Sequence, residues 1–352
     1  MKKSGAAILK EYEHFEWGEI EISETKDNEV LLQVAYACIC GSDQHIFKGE
    51  FHPRTKLPLV PGHEFAGRII RTGKDVRAFK PGDMAAVDPI IWCGECPACI
   101  RQHYPACTSL KLLGVDLDGG FSEYINVPES MLFNVPPHIP ARHAALVELL
   151  SIGFHACNRA GIKENDSVVI WGAGKVGQSI LQAVKTKSPG RVILVDILEN
   201  RLKRALSAYP DIHTINSTRV DPVDKIREVT DGRGVDIAFE AVGHYQPVEG
   251  RENPVRSCIQ SIRGAGTVCV LGLGDEPVPL LIKELIWKEA TLTASRVTHG
   301  EFSEAIQMLD QGKLKPEALI TDVLRPEEIQ SGFEMLEKEP DNHLKILLEF
   351  SQ

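Results

Sequence analysis

Residues 168–177 read VVIWGAGKVG, an apolar strand followed at once by three glycines and the start of a helical stretch. Gly172 permits a tight turn, Gly174 lets the backbone approach a pyrophosphate, and Gly177 lets the helix pack closely on the strand. The pyrophosphate would lie at the positive N-terminus of that helix. No GKS or GKT follows at the spacing of a P-loop, which excludes that class of phosphate site. The stretch predicts a dinucleotide site, with a glycine-rich turn that binds no cofactor as the alternative.

An acidic residue further along supports the dinucleotide prediction. Asp196 ends the next apolar run, RVILVD, about twenty residues beyond the glycines, where a carboxylate accepts hydrogen bonds from the adenosine ribose hydroxyls. The same charge repels a 2′-phosphate, so NAD is favoured over NADP, although the nearby Arg201 keeps NADP open. Lys175 and Val176, inside the glycine loop, complete this half of the predicted cofactor site.

The pattern of an apolar strand followed by a helical segment repeats after residue 167. The apolar runs are SVVIWG, RVILVD, DIAFEAVG and TVCVLGLG. This alternation predicts an α/β domain with a doubly wound parallel sheet. Four residues at the later strand ends should lie at the carboxyl edge of that sheet, beside the nicotinamide half of the cofactor: Ala241, Val242, Leu271 and Leu273.

The part of the chain before about residue 150 has a different pattern. Short β runs broken by Gly and Pro (EVLLQVAYAC, EFAGRIIRTG, DMAAVDP and FSEYINVP) predict a partly open antiparallel barrel. A helical stretch at 141–160 leads out of it. The tail after about residue 296 is too short for a third domain and is expected to complete the first. The predicted domains are 1–153 completed by 297–352, and 154–296.

Composition narrows the classes of protein that the chain can belong to. The 352 residues carry a formal net charge of -10, which argues against a nucleic-acid surface. No run of 18 or more apolar residues and no signal-peptide pattern is present. Nine cysteines fit reduced thiols and metal ligands better than disulfides. We therefore expect a cytoplasmic protein that binds a small molecule and neither nucleic acid nor membrane.

Four cysteines lie in one short stretch, CGECPACIRQHYPAC. Spacers of two residues let a loop turn back quickly enough to place several sulfur ligands around one zinc ion: Cys93, Cys96, Cys99 and Cys107. Four protein ligands leave no coordination position for water or substrate, so this zinc is expected to be structural. Two disulfides, or four unrelated thiols, are the alternatives.

A second set of metal-ligating residue types occurs earlier in the chain, in CGSDQH and PGHEFAG. These motifs contain Cys40, Ser42, Asp43, His45, His63 and Glu64. Each motif alone is weak evidence for a metal site, because a single cysteine or histidine is more often a buried structural residue. Together with a zinc loop and a dinucleotide fold they predict a second metal site.

These motifs, with ALVE, WGAGKVG and VDILENR, resemble the zinc-dependent medium-chain dehydrogenase/reductase family, near its sorbitol, threonine and butanediol dehydrogenase branch. The resemblance covers essentially the whole chain. It implies a GroES-like catalytic domain interrupted by a Rossmann domain, with two zinc ions per chain and NAD as cofactor. It implies Cys40 and His63 as ligands of the active-site zinc. The third ligand is Glu148 or Glu64, and this choice stays open.

The resemblance also implies roles for residues around that zinc. Asp43 would orient a ligand, and Ser42 and His45 would relay the alcohol proton. Arg296, beside both cofactor and substrate, and Phe121 would line the substrate site. Two positions depart from the sorbitol dehydrogenase pattern: Ile46 after the relay histidine and Val297 after the arginine.

The combined reading is a zinc-dependent oxidoreductase that transfers hydride from a secondary alcohol to NAD and leaves a ketone. A polyol, a sugar acid or a similar polar compound is the expected substrate, and oxidation of an L-threonine-type amino acid is the alternative. A non-enzymatic zinc protein on the same fold is a second alternative, while the zinc motifs argue against a zinc-free quinone reductase. The family implies a homotetramer or homodimer. The polar segment 243–255 would cap the site, join an oligomer contact or form a plain surface loop.

Overall fold

The computed structural model describes residues 2–243, 252–274 and 276–351. The chain forms two compact units. Unit 1 comprises Met1–Glu148, Phe302–Gln311 and Leu319–Gln352, and unit 2 comprises Leu149–Glu301 and Gly312–Ala318. Within the described ranges, every helix is too short or too polar to cross a membrane.

The secondary-structure elements are numbered in chain order. The strands are β1 (Lys2–Glu11), β2 (His14–Ile22), β3 (Glu29–Cys38), β4 (Glu64–Thr72), β5 (Met84–Val87), β6 (Ile90–Ile91), β7 (Lys111–Leu112), β8 (Tyr124–Pro128), β9 (Leu132–Val135), β10 (Val168–Trp171), β11 (Val192–Asp196), β12 (His213–Asn216), β13 (Val235–Glu240), β14 (Ile262–Val270), β15 (Thr291–Ala294), β16 (Ile320–Leu324) and β17 (Lys345–Glu349). The helices are α1 (Gly41–Phe47), α2 (Pro97–Ile100), α3 (Ala141–Ala144), α4 (Val147–Ala160), α5 (Lys175–Thr186), α6 (Glu199–Ala208), α7 (Pro222–Val229), α8 (Pro254–Ser261), α9 (Ile282–Lys288), α10 (Phe302–Asp310) and α11 (Ile329–Lys338).

Unit 1 is built on a sheet with the strand order β16-β17-β3-β4-β5-β9, in which β8 also pairs with β3. Strand β3 lies inside the sheet and is almost wholly buried, as its apolar sequence EVLLQVAYAC predicts. The pairs of β3 with β4, β8 and β17 are antiparallel. These antiparallel pairs agree with the barrel predicted for the part of the chain before residue 150. In the tail, β16 and β17 are parallel, because α11 carries the chain across between them.

Unit 2 contains the predicted parallel sheet, with the strand order β12-β11-β10-β13-β14-β15. All five strand pairs in it are parallel. The chain runs outward from β10 to β12 and then returns to the other side of β10 at β13. That reversal creates the crevice at the carboxyl ends of the strands where ligands bind in such sheets. The α/β fold class is confirmed.

The tail of the chain is divided between the two units. Residues 312–318 belong to unit 2, whereas the sequence predicted that the whole tail completes the first domain. A reciprocal pair of hydrogen bonds joins this segment to α5: Gln182 donates to the Lys315 carbonyl (3.2 Å) and accepts from the Lys315 N–H (2.9 Å). The predicted domain bounds, 153/154 and 296/297, stay predictions beside the observed divisions after Glu148 and Glu301.

Candidate functional site

The four-cysteine loop of unit 1 brings all of its sulfur atoms together. The four Sγ atoms lie within 4.8 Å of one another. The Sγ atom of Cys93 is 3.9 Å from that of Cys99 and 3.6 Å from that of Cys107. A tetrahedral zinc with Zn–S bonds of about 2.3 Å needs sulfur atoms about 3.8 Å apart. The arrangement therefore fits zinc, and the separations are far too long for disulfide bonds.

Backbone N–H groups of the same loop point at the sulfur atoms. Cys96 donates its N–H to Cys93 Sγ (3.4 Å), and Cys93 donates its N–H to Cys107 Sγ (3.4 Å). Hydrogen bonds from backbone N–H groups lower the pKa of Cys96 to about 6. Such bonds favour thiolates, which are the form that binds metal. A zinc held here has no open position, so the loop can stabilise structure but offers no site for a reactant.

A second cluster in unit 1 joins Cys40, His63 and Glu64. Cys40 follows β3 and begins α1, while His63 and Glu64 stand at the start of the neighbouring strand β4. Ligand atoms from the three side chains lie within 4.8 Å of one another. The sheet itself produces this proximity, because Cys38 and Glu64 are register partners across β3 and β4. Soft sulfur, imidazole and carboxylate form a donor set that suits zinc.

Asp43 supports this cluster from α1. Its Oδ2 atom accepts the N–H of Cys40 (2.8 Å), and its Oδ1 atom lies 3.3 Å from Nδ1 of His63. Burial opposes protonation of His63, but the charges of Asp43 and Cys40 outweigh it and raise the His63 pKa. A carboxylate on Nδ1 leaves Nε2 as the nitrogen available for a metal, and it holds the ring in one orientation.

Glu148 reaches the same neighbourhood from the first turn of α4. It is buried, and burial followed by the charge of Glu64 raises the pKa of Glu148 to about 8. Within the described residues, Oε2 of Glu148 and Oε1 of Glu64 are buried and have no hydrogen-bond partner. Buried polar atoms normally have partners. The orphaned oxygens and the adjacent Cys and His therefore fit a cation that both carboxylates could reach.

Lys345 is a functional residue that the sequence reasoning missed. It lies on β17, is fully buried, and forms an ion pair with Oε2 of Glu64. This ion pair places the Lys345 ammonium group beside Glu64, a member of the predicted ligand cluster. The signal in the sequence was a lysine inside the otherwise apolar run HLKILLEF. An internal lysine at a buried strand position requires a partner.

The predicted relay residues lie on α1. Ser42 Oγ is 4.0 Å from Cys40 Sγ, so its hydroxyl stands next to a ligand. The His45 ring is stacked on Phe51 at 5.7 Å, and its Nδ1 bonds to Glu50. Glu50 was not predicted from the sequence, although an acidic residue five positions after the predicted relay histidine could have indicated this pairing. His45 retains 26% side-chain exposure, which gives it access to solvent.

Ser42 was also predicted to contact the substrate, and the other two predicted substrate residues, Phe121 and Arg296, lie in different units. Phe121, in unit 1, is fully buried with its ring directly over Gly62, where a Cβ atom would come within 2.5 Å of the ring. It therefore packs inside the unit and exposes no aromatic surface. Arg296, in unit 2, is exposed and precedes Val297, whose φ of 49° is rare for a β-branched residue.

The glycine loop of unit 2 has the close contacts that its sequence predicts. A Cβ atom on Gly172, at φ 99°, would lie 2.7 Å from the Ala241 carbonyl oxygen. A Cβ atom on Gly177 would lie 1.7 Å from the Gly172 carbonyl oxygen. Gly174 is the N-cap residue of α5. A Cβ atom on Gly174 would have room, since its nearest neighbour would be Nη1 of Arg201 at 3.6 Å. Lys175 and Val176 form the first turn of α5.

Asp196 connects the glycine loop to the end of β11. Its Oδ2 atom accepts the N–H of Ala173 (2.5 Å), and its Oδ1 atom accepts the N–H of Leu198 (2.8 Å). Each carboxylate oxygen can accept more than one hydrogen bond. The carboxylate is therefore held beside the loop and keeps acceptor capacity for ribose hydroxyls.

Glu240 is a second residue that the sequence reasoning missed. It is buried at the end of β13, where Oε1 accepts the N–H groups of Val242 (2.8 Å) and Gly243 (3.1 Å) and Oε2 accepts that of Gly272 (3.2 Å). One carboxylate thus joins the ends of two strands at the carboxyl edge. The predicted cofactor residues Ala241, Val242, Leu271 and Leu273 lie on these two ends, and Leu273 is 72% exposed.

The polar segment singled out at 243–255 is only partly within the described residues, because 244–251 lie outside them. Asn253 begins α8, accepts the N–H of Arg256 (2.8 Å) and donates to the Pro279 carbonyl (2.8 Å). The end of the segment is thus a helix cap in unit 2. Its proposed roles as a cap over the site or as an oligomer contact stay predictions.

Comparison with known proteins adds two family models and several relatives. Residues 26–137 match the alcohol dehydrogenase GroES-like domain, and residues 176–311 match the zinc-binding dehydrogenase domain. An uncharacterised zinc-type alcohol dehydrogenase-like protein of Haemophilus influenzae is 35% identical over 330 residues, which covers 93% of each chain. Sorbitol dehydrogenase of Bacillus subtilis is 29% identical, with 97% of this chain and 96% of that protein covered.

A solved structure is also similar over nearly the full length. It is an alcohol dehydrogenase of Escherichia coli CFT073 complexed with NADH, with a TM-score of 0.90, 28% identity and 99% of both chains covered. Full-length coverage in both directions means that the zinc loop, the Cys40 cluster and the glycine loop all fall inside the compared region.

Proposed function

Because the chain belongs to the zinc-type alcohol dehydrogenases, of the branch that contains sorbitol dehydrogenase, we propose that it oxidises a secondary alcohol of a polyol or sugar acid with NAD. The products are a ketone, NADH and one proton. The observation that carries the proposal is the meeting of Cys40, His63 and Glu64 in one buried cluster of unit 1. A structural zinc loop alone would not require this cluster.

We assign the third ligand of the working zinc to Glu64, with Glu148 close behind it. Glu64 shares the 4.8 Å cluster with Cys40 and His63, whereas Glu148 does not. When bound, zinc supplies the Lewis acidity that lowers the pKa of an alcohol, and NAD supplies the hydride acceptor. The chain must then orient the alcohol, exclude water and remove the proton.

The proton route that the residues support begins at Ser42. Its hydroxyl stands beside the Cys40 ligand and can accept a proton while donating its own. His45 lies one helical turn further on, is partly exposed, and is paired with Glu50. Its contact with Glu50 and its partial exposure make His45 a suitable group to pass the proton on to solvent.

The preference for NAD over NADP rests on Asp196. Its carboxylate is fixed next to the glycine loop by two backbone N–H groups, and a 2′-phosphate placed there would meet a negative charge. Arg201 lies close to Gly174 and is the residue that would favour NADP. Steady-state kinetics with both cofactors would decide between the two.

A substrate panel tests the activity directly. Purified protein is mixed with NAD and, separately, with polyols, sugar acids and L-threonine, and NADH formation is followed at about 340 nm. Oxidation of polyols or sugar acids is the expected result. Turnover of L-threonine alone would contradict the proposed substrate class. Metal analysis separates the enzyme from a non-enzymatic zinc protein, since the enzyme needs a second zinc whose removal abolishes activity.

We propose that the chain assembles through unit 2 as a homodimer, or as a homotetramer made of two such dimers. Strand β15 is the edge of its parallel sheet, and unpaired edge strands invite pairing with another chain. Beside it, α9 exposes Ile286 (70%) and Trp287 (78%). Large apolar patches of this kind mark interaction surfaces. Light scattering should give a multiple of the chain mass, and Trp287→Arg should reduce it, while Val220→Arg should not.

A reducing, cytoplasmic location is part of the same proposal. All nine cysteines are free thiols in the structure. Five of them are predicted zinc ligands that oxidation would remove, and the other four are buried thiols. Free thiols persist where glutathione and thioredoxin keep them reduced.

A further inference from the structure

Lys345 lies directly behind the proposed zinc ligands, and neither the ligand set nor the proton route explains it. Among the described residues, Lys345 is the one lysine that is buried as a whole residue. Neither its side chain nor that of Glu64 has exposed surface. Strand β17 carries it next to the end of β3, and Nζ also lies 3.5 Å from the Ile39 carbonyl oxygen. Burying an ammonium group is costly unless it is paired. Its position therefore requires a reason.

The acidic side chains around Lys345 explain why a lysine is found there. Glu64, Glu148 and Cys40 are three acidic side chains in one neighbourhood of unit 1, and Asp43 is a fourth beside His63. The Lys345 ammonium group therefore lies beside a cluster of acidic side chains, with Glu64 as its direct partner.

The two oxygens of Glu64 have different environments. Oε2 forms the ion pair with the Lys345 ammonium group, whereas Oε1 has no ion-pair partner within the described residues. Both oxygens are buried, and neither accepts a hydrogen bond of regular geometry. A carboxylate with both oxygens free can bind a metal through both and fill two coordination positions. A carboxylate with one oxygen held by a lysine can offer only the other.

We propose that Lys345 is a positioning residue that restricts Glu64 to a single metal contact through Oε1 and so keeps one coordination position of the catalytic zinc open. This inference rests on the proposed metal site of Cys40, His63 and Glu64. Catalytic zinc sites require such an open position, in contrast to the four-cysteine site. Lys345 also weakens the attraction between Glu64 and the metal, since a cation beside the carboxylate offsets part of its charge.

The experiment replaces only the zinc at the Cys40 site with Co²⁺, whose visible absorption becomes weaker when a fifth ligand is added. Metal analysis verifies one zinc and one cobalt per chain. The variants are Lys345→Met, Lys345→Arg and, as an exposed control, Lys338→Met, which loses only a surface pair with Glu334. Spectra are recorded without substrate or cofactor, and the rate of cobalt loss to a chelator is measured for each.

In Lys345→Met we expect a weaker cobalt spectrum and cobalt loss slower by about tenfold, since Glu64 can then bind with both oxygens and its full charge. Lys345→Arg and Lys338→Met should match the wild type. In a Glu64→Gln background, Lys345→Met should have no further effect on the spectrum, because the route through Glu64 is gone. If Lys345→Met does not fold, Lys345→Gln, which keeps a hydrogen-bond donor but loses the charge, should still slow cobalt loss, because the carboxylate of Glu64 is no longer offset by a cation.

An unchanged spectrum and chelation rate in folded Lys345→Met would overturn the inference, as would an equal effect of that variant with and without Glu64. Neither the cobalt spectrum nor the rate of cobalt loss depends on turnover of a substrate. A wild-type protein that binds cobalt at this site but oxidises no polyol would overturn the proposed substrate class alone. A wild type that binds no metal there would overturn the proposed metal centre and this inference with it.

Discussion

Gly177 lies so close to Gly172 that a Cβ atom at position 177 would come within 1.7 Å of the Gly172 carbonyl oxygen. The contact is between the first turn of α5 and the turn that follows β10. Backbone atoms cannot move aside as a flexible side chain can. The geometry of the glycine loop therefore depends on the absence of a single methyl group.

Gly177→Ala should distort the loop. We expect a loss of unfolding free energy of about 1–3 kcal/mol, as for other overpacked positions, and weak or absent NADH binding. Thermal unfolding and NADH fluorescence measure the two effects. Gly264→Ala is the matched control, since a Cβ atom at position 264 would meet nothing within 4 Å. Normal NADH affinity in Gly177→Ala would show that the loop tolerates a side chain there.

Cys96→Ala should remove the structural zinc first. We expect one zinc per chain to be lost and the melting temperature to fall, because three sulfur ligands hold the metal less firmly and the loop gains conformational freedom. Metal analysis and thermal unfolding test this, with the exposed loop residue Glu95→Ala as control. A Cys96→Ala protein that kept its stability and had lost only hydride transfer would reverse the assignment of the two metal sites.

Asp43→Asn should weaken metal binding at Cys40 and His63 without unfolding unit 1. The amide cannot replace the carboxylate that faces Nδ1 of His63, and removing such an orienting partner typically costs about 10- to 100-fold in metal affinity or activity. Competition with a chelator gives the affinity. Asp75→Asn, at an exposed position of the same unit, is the control and should behave as wild type. Wild-type metal affinity in Asp43→Asn would show that Asp43 does not orient His63.

Asp196→Asn should reduce the discrimination between NAD and NADP. It removes the charge that opposes a 2′-phosphate and weakens hydrogen bonding to the ribose, so we expect KM for NAD to rise by about tenfold or more with little change in kcat. Glu199→Gln, nearby on α6, is the control. An unchanged ratio of kcat/KM for the two cofactors would show that the preference arises elsewhere, with Arg201 as the next residue to test.

Glu240→Gln should loosen the carboxyl edge of the sheet in unit 2. The new amide group can accept fewer of the three backbone N–H groups that the carboxylate now accepts, and an unsatisfied buried donor costs about 1–3 kcal/mol. We expect weaker binding of NADH but nearly unchanged binding of ADP-ribose, which lacks the nicotinamide. Glu228→Gln on α7 serves as control. Equal losses for both ligands would indicate general destabilisation instead.

Local patterns in the sequence predicted the features that neighbouring residues build. The glycine loop follows from VVIWGAGKVG, because its turn, helix start and close packing all involve residues within one βα unit. The four-cysteine loop likewise follows from spacers that bring its ligands together within one short segment. In both cases the distances in the structure agree with the chemistry that the spacing predicts.

Features that join distant parts of the chain were the ones missed. Lys345 lies beside Ile39 although 306 residues separate them in the chain, and no local pattern pairs a lysine of the final strand with Glu64. The same holds for Gln182 and Lys315, 133 residues apart, whose mutual hydrogen bonds join residues 312–318 to α5 of unit 2. Sheet register decides such pairings, and the sequence alone does not reveal it.

The ion pair between Lys345 and Glu64 has a consequence for the stability of unit 1. It links β17 to the start of β4, and both side chains are fully buried. Loss of either partner would leave an uncompensated charge inside the unit, which is strongly destabilising. Removal of β17 should therefore lower the free energy of unfolding of unit 1 by more than the loss of its apolar contacts alone.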